Sequence, residues 1–194
     1  MITLLLDSSG ANLSVGLAKN NVLIGSIEQE AFQMQSELMV DAINKLCTDK
    51  NINPRDINEV IVGIGPGSYT GVRIAVTIAK VIGLALMVPI YEASSLQIMA
   101  GEGSPSVCVM NARRKRSYVG VYFEGEALVD DKIITNDELN KYLEEHPTYL
   151  LTGDTKYLNK KSAPFNRFSN MLKYKHKLNK LDDPLLLNAI YLKD

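Results

Sequence analysis

Ile2–Leu6 is almost continuously apolar and stops at Asp7, the pattern of a buried central strand. Ser8-Ser9-Gly10-Ala11-Asn12 then reads as a turn. Leu13, Val15 and Leu17 alternate with smaller residues, which predicts a second strand over Leu13–Ala18. Lys19-Asn20-Asn21 is a tight-turn signal, because Asn tolerates positive φ. Val22–Gln29 returns as a third strand, so the chain opens as an antiparallel meander.

The period then changes. Leu38, Met39, Ala42, Ile43, Leu46 and Cys47 recur at helical spacing, with Ser36 as the expected N-cap and Glu37 in the first turn. Asn51-Ile52-Asn53-Pro54 ends that helix. A strand over Glu59–Ile64 runs into Gly65-Pro66-Gly67-Ser68-Tyr69-Thr70-Gly71, and a helix over Val72–Leu86 follows until Pro89. Ile90–Tyr91 suits a short strand and Ser94–Ala100 a short helix. The order βββαβαβα predicts a mixed sheet with helices against it. Gly101-Glu102-Gly103-Ser104-Pro105 is the natural boundary, dividing the chain into 1–101 and 102–194. Beyond it, strands are expected over Val107–Met110, Ser117–Phe123 and Ala127–Ile134, a helix over Asp137–Glu145, and a strand over Tyr149–Leu151 leading to Gly153-Asp154. This is a shortened echo of the first half.

With 194 residues and 46% hydrophobic content the chain can build a proper core. A net charge of −1 excludes a uniformly basic coat, but the charge is uneven. Residues 156–180 hold Lys156, Lys160, Lys161, Arg167, Lys173, Lys175, Lys177 and Lys180 without one acid. That stretch reads as a solvated tail, or as a contact for phosphate. Cys47 and Cys108 lie far apart in apolar stretches, as buried thiols of a reducing compartment do. The first residues read as a strand, not a leader, and Arg73 and Lys80 interrupt the most apolar stretch. A soluble, cytoplasmic protein without a membrane partner is expected.

The glycine turn is neither a Walker A loop, since no Lys-Ser/Thr pair follows, nor a dinucleotide fingerprint. It permits close backbone approach, and Ser68 and Thr70 can cap the following helix, whose N-terminus favours anions. Asp7, Gly65, Gly67, Ser68 and Thr70 are therefore the candidates for a nucleotide or phosphate contact; a purely structural turn is the alternative. In the next helix Arg73, Thr77 and Lys80 form one polar stripe, while Ala75, Ala79 and Gly83 form a ridge of small residues where a neighbouring helix could approach. The catalytic equipment is thin. His146 and His176 stand alone in polar settings, with no metal-ligand spacing, no GxSxG elbow and no visible triad. No metal site is expected.

The stretches LLLDSSGANLSVGL (Leu4–Leu17) and GPGSYTGVRIAVTIAKVIGLAL (Gly65–Leu86) closely resemble the TsaB/YeaZ family of bacterial accessory subunits for threonylcarbamoyladenosine in tRNA. Met34–Leu46, Asn111–Tyr122, Leu151–Thr155 and Asp182–Asp194 match further family segments in the same order. Gln35 stands where the family often has His, Asn111 replaces an Asp, and Lys193 replaces a terminal Arg. The resemblance implies an α/β, actin-like (ASKHA, ribonuclease H-like) fold of two related domains, the second abbreviated. It also implies a non-catalytic subunit that pairs with a TsaD-like paralogue, which carries the metal-binding histidines, and with a TsaE-like ATPase. Nucleotide (ATP or ADP) with Mg²⁺ would sit only at the interface of the complex, and tRNA would be met only through the complex. The expected partner surface lies on the two first-half helices, through Ser36, Met39, Ile43, Arg73, Val76, Ala79, Lys80 and Gly83, and a homodimer would compete for it. The runner-up is a small ATP-dependent phosphotransferase built on Asp7 and the glycine turns, which would need a second acid.

Overall fold

The computed structural model describes residues 1–31 and 34–192, so Lys193 and its place in the tail lie outside the described residues. The opening meander is present as β1 (Ile2–Asp7), β2 (Asn12–Lys19) and β3 (Val22–Glu30), antiparallel throughout. Helix α1 (Gln35–Asp49) leads through a 3₁₀ turn to β4 (Ile57–Gly63), which pairs parallel with β1. Helix α2 (Tyr69–Leu86) leads to β5 (Ile90–Ala93), parallel with β4. The second half contributes β6 (Ser106–Arg113), β7 (Arg116–Phe123), β8 (Glu126–Thr135), α3 (Asn136–Glu145) and β9 (Leu150–Gly153). Last come the short helix α4 (Arg167–Lys173) and β10 (Asn179–Leu181).

The two sheets run β10-β5-β4-β1-β2-β3 and β8-β7-β6-β9. The second repeats the first in miniature: two antiparallel pairings, a helix, then a parallel return beside the first strand. It stops before an equivalent of α2 and β5. After β9 the chain crosses back, and β10 closes the edge of the first sheet against β5. A division at residues 101 and 102 therefore separates the two sheets except for this C-terminal stretch.

Alternation along the strands sorts the core. Ile2, Leu4 and Leu6 of β1 face outward, under α1 and α2, with Met39, Ile43, Val72, Ala75 and Ala79. Leu5 faces the other way, into a cluster that holds Cys108, Met110 and Tyr122 of the second sheet and Phe168 and Met171 of α4. Val107, Val109, Val119 and Val121 pack beneath Leu139 of α3. The second sheet is thus sandwiched between α3 and the shared inner layer.

Local chemistry departs from the sequence reading at four points. Ser36 is not a cap: α1 begins one residue earlier, its N-cap is Met34, and no side chain caps it. Helix α2 starts at Tyr69 because Ser68 Oγ accepts the Gly71 N–H at 3.3 Å, which leaves Thr70 inside the first turn. The helix expected over Ser94–Ala100 is one 3₁₀ turn, Gln97–Met99, set by Ser94 Oγ accepting the N–H groups of Leu96 and Gln97. The basic stretch is not a loose tail. It forms α4, and two of its cations neutralise the two acids that are buried among the described residues: Arg167 pairs with Asp7 and Lys175 with Glu59.

Candidate functional site

The glycine turn is built for backbone contact. Gly65 has φ +104°, and a Cβ there would lie 2.8 Å from the carbonyl oxygen of Ile190. A Cβ on Gly71 would fall 1.9 Å from the Ser8 carbonyl oxygen. The close approach is fixed by hydrogen bonds: Ser68 N–H donates to Ser9 O at 2.7 Å, Ser8 Oγ donates to Gly71 O at 2.7 Å, and Gly65 N–H donates to Ser95 Oγ at 3.0 Å. Gly67 lies against Ser9. These donors, which a phosphate loop would hold open, serve the chain itself.

Asp7 stands beside this turn but does not face an open phosphate site. Its carboxylate is 1% exposed, and the Arg167 guanidinium donates to it at 2.6 Å. Arg167 also reaches Glu28 through Nε at 3.0 Å. A buried carboxylate needs such a partner, and α4 supplies it from 160 residues away. The strap is fastened further by Asn170, whose Nδ2 donates to the carbonyls of Ile98 and Ala100 at 2.9 and 2.8 Å. Lys175 donates at 2.8 Å to Glu59, which also accepts from Thr3 Oγ1 at 2.6 Å. No sequence spacing announces these pairs.

A second polar cluster joins the halves. Asp131 accepts from Tyr122 Oη at 2.7 Å and from Ser94 Oγ. Burial raises the Asp131 carboxyl above its ordinary pKa, against the lowering effect of those two hydrogen bonds. Burial, together with the neighbouring Asp131 charge, pushes the Tyr122 phenol up. Burial takes the Cys108 thiol to about 12, so it stays protonated and inert. His146 is held by Tyr142, stacked at 4.2 Å with Nδ1 2.9 Å from the Tyr142 carbonyl oxygen. Among the described residues no three His, Cys, Asp or Glu side chains come together in a metal-binding group.

The outer helices divide the expected partner residues into two sets. Met39, Ile43, Val76 and Ala79 are buried in the outer core, so they cannot touch a partner. Gly83 is internal as well: a Cβ there would lie 2.8 Å from Ile90 Cδ1 and 3.0 Å from Pro184 Cγ. The small-residue ridge lets α2 settle onto its own sheet. Lys80 is half-buried and donates to the Leu185 carbonyl at 3.2 Å. Ser36 and Arg73 are exposed; Arg73 donates to Tyr69 Oη at 2.7 Å with its guanidinium 5.0 Å from that ring's centre.

Toward solvent α2 shows Thr70, Arg73 and Thr77 beside large apolar side chains. Its 18 residues are long and apolar enough by length and composition to cross a membrane, with mean hydropathy 1.5, yet one face is committed to the sheet. The other face exposes Tyr69 and Val81 at 59%, Leu84 at 44% and, just past the helix, Met87 at 91%. Between α1 and α2 runs a groove of about 360 Å³ in which Ser36 and Val40 face Tyr69, Arg73, Ile74 and Ile78. The C-terminal residues extend this side, because the Tyr191 ring lies tilted against Tyr69 with 5.1 Å between ring centres, and Leu185 and Leu186 are both 62% exposed. Of the residues expected at a partner surface, Ser36 and Arg73 are exposed, Lys80 is half-buried, and Met39, Ile43, Val76, Ala79 and Gly83 are internal.

Known proteins resemble this chain at both levels. Residues 25–161 match the family described as TsaD, tRNA N6-adenosine threonylcarbamoyltransferase. A protein of Bacillus subtilis (strain 168) called tRNA threonylcarbamoyladenosine biosynthesis protein TsaB is 32% identical over 168 residues, spanning 80% of this chain and 72% of that one. The protein of the same name from Buchnera aphidicola subsp. Schizaphis graminum is 28% identical over 134 residues, 66% of this chain and 63% of its own. The solved structure of YeaZ from Pseudomonas aeruginosa superposes with a TM-score of 0.78 at 17% identity, covering 98% of this chain and 99% of that one, and so shares the two-sheet, actin-like fold.

Proposed function

The chain belongs to the TsaB/YeaZ family, and from that premise we propose that it is a non-catalytic accessory subunit in the synthesis of threonylcarbamoyladenosine in tRNA. Its partner is a TsaD-like paralogue, with a TsaE-like ATPase joining the pair, and a second copy of this chain competes for the same surface. The observation that carries the reading is the outward face of α2 and its groove with α1. Tyr69, Val81, Leu84 and Met87 lie exposed along one side of a well-packed domain. An apolar patch of that kind is a protein interface by default. The surface residues of the proposal are thus Ser36, Val40, Tyr69, Arg73, Ile74, Ile78, Val81 and Leu84.

Nucleotide enters, in this reading, only at the interface of the complex. The chain alone binds ATP weakly, with Kd above about 100 μM, because Arg167 already holds the Asp7 carboxylate and the Gly65, Ser68 and Gly71 N–H groups are spent internally. The same closure disfavours a phosphotransferase. The two buried thiols support a reducing, cytoplasmic setting.

The test is reconstitution with purified TsaD-like and TsaE-like proteins and unmodified tRNA. Modification should require this chain, and the chain alone should transfer nothing. Val81→Asp with Leu84→Asp should weaken binding to the TsaD-like partner by tenfold or more, about 1.4 kcal/mol, at unchanged thermal unfolding. Transfer by the isolated chain, or normal pairing of the double variant, would refute the proposal.

A further inference from the structure

The cations of the basic stretch fall into two populations. On the inner face of the first sheet and along its edge they are paired: Arg167 with Asp7 and Glu28, Lys175 with Glu59, Lys177 with Glu126 at 3.0 Å, Lys180 with Asp182 at 2.6 Å, and Lys173 with Glu102 at 3.9 Å. The three remaining cations of the basic stretch, Lys156, Lys160 and Lys161, are exposed and belong to no ion pair among the described residues. Three more unpaired cations, Arg113, Arg114 and Lys115, form the tip of the β6–β7 hairpin.

The topology brings these two triads to one end of the second sheet. Strands β6 and β9 are adjacent and parallel, with Val109 opposite Gly153, so the chain leaves both on the same side. Neighbouring strands lie about 4.8 Å apart, and the space beyond the carboxyl ends of parallel strands is where α/β sheets receive ligands. Tyr157 pins the lysine loop to the base of the hairpin through its hydroxyl, 2.6 Å from Ser117 Oγ and 3.4 Å from the Met110 carbonyl oxygen. Among the described residues the acids beside these strand ends are Asp154, Asp137 and Glu138, and Glu138 is engaged in capping α3, so the six cations outnumber these three two to one.

The hairpin tip is unusual in its chemistry. The β2–β3 hairpin turns on Asn20 and Asn21, with φ 52° and 62°, and the β7–β8 hairpin turns on Glu124 and Gly125, with φ 49° and 80°. Asn20, Asn21 and Gly125 are of the types that positive φ favours, and Glu124 is the one exception in those two turns. At the β6–β7 tip three successive left-handed positions, with φ 63°, 50° and 57°, are Arg113, Arg114 and Lys115. The backbone asks for Asn or Gly there and the chain supplies long cations. Among the described residues, neither loop carries an exposed large apolar side chain that could enter a bilayer.

We infer that the hairpin tip Arg113–Lys115 and the loop Lys156–Lys161 form one docking surface for the phosphate backbone of an RNA, the folded tRNA on which the complex works. The inference rests on the reading of the chain as a subunit for tRNA modification. Binding there is by charge and shape, without base readout.

The test uses the full chain in complex with its TsaD-like partner, an unmodified tRNA transcript as probe, and about 50 mM salt. Three triple variants are compared: Arg113→Gln/Arg114→Gln/Lys115→Gln at the tip, Lys156→Gln/Lys160→Gln/Lys161→Gln in the loop, and Lys19→Gln/Lys50→Gln/Arg55→Gln on the first half as control. Tip and loop variants should each weaken tRNA binding tenfold or more. Each should also flatten the plot of log affinity against log salt by about 2–3 units, while the control binds normally. Equal losses in all three would mean diffuse charge attraction, and no loss at the tip or loop would mean no site; either overturns the inference. So does capture of phosphatidylserine vesicles in place of tRNA. Pairing with the TsaD-like protein is measured in parallel. If it persists while tRNA binding is indifferent to the tip and loop, only this inference fails; if pairing itself is absent, the proposed function fails first.

Discussion

On one side of the six-stranded sheet, β1 sends Ile2, Leu4 and Leu6 into a layer of aliphatic side chains beneath α1 and α2. On the other side, the same strand sends Thr3, Leu5 and Asp7 toward a strap that arrives from the far end of the chain, and the contacts include two buried ion pairs. Aliphatic packing is non-directional and tolerates exchange of shapes at constant volume. A buried carboxylate admits few partners, because leaving it without a cation costs far more than the pair returns. The outer layer is therefore held by quantity of contact and the inner layer by identity.

The strongest challenge to this contrast is Arg167→Ala, which strands Asp7 in the interior. It should lower stability by about 3–5 kcal/mol, read as a shift in the urea midpoint. Asp7→Asn combined with Arg167→Met should recover much of that loss; failure to recover would mean that the strap is held by packing alone. On the outer side, Ala79→Leu adds bulk at a fully buried position and should cost about 1–3 kcal/mol. Val81→Asp, two residues on and exposed, should stay within about 0.5 kcal/mol of wild type. A stable Ala79→Leu variant would show that α2 is less tightly seated than its ridge implies.

Smaller again is a pH effect at the contact between the halves. Asp131 has a raised carboxyl pKa, so the folded state holds a proton that the unfolded state releases near its ordinary value of 3.8. Stability from this group is complete below that value and is lost as pH rises through the folded pKa. Asp131→Asn, which keeps a neutral acceptor and donor for Tyr122 and Ser94, should abolish that decline relative to wild type. Parallel pH–stability curves would refute the shift. Smallest is the exposed Lys45–Asp49 pair on α1, where Lys45→Ala should cost only about 0.3–0.5 kcal/mol and nothing in high salt.

The difference between the layers also explains what the sequence could disclose. Periodicity located every strand of the first meander, both outer helices and the echo in the second half, because those elements are set by local alternation of apolar and polar residues. It could not assign faces on α2, where nearly all residues are apolar and Ala79 and Val81 look equally able to face inward. It missed the roles of Arg167 and Lys175, since a cation in a polar stretch is the same letter whether solvated or facing a buried acid. The signal that existed was indirect: Asp7 at the end of an otherwise apolar strand, and Glu59 at the start of another, each needed a counter-charge from somewhere.

Strand β10 gives the molecule a timetable. β5 leaves the ribosome with residue 93, whereas its antiparallel neighbour ends at residue 181. At ordinary elongation speeds that interval is on the order of ten seconds, far longer than a hairpin needs to close. Throughout it the nascent first half carries an open sheet edge, and until Arg167 and Lys175 are made it also carries two carboxylates with no counter-charge, while the entire second sheet is being made. Completion of the first sheet thus waits for the second to be made, and a chain stalled before Arg167 holds most of its apolar residues yet has no means to seal them.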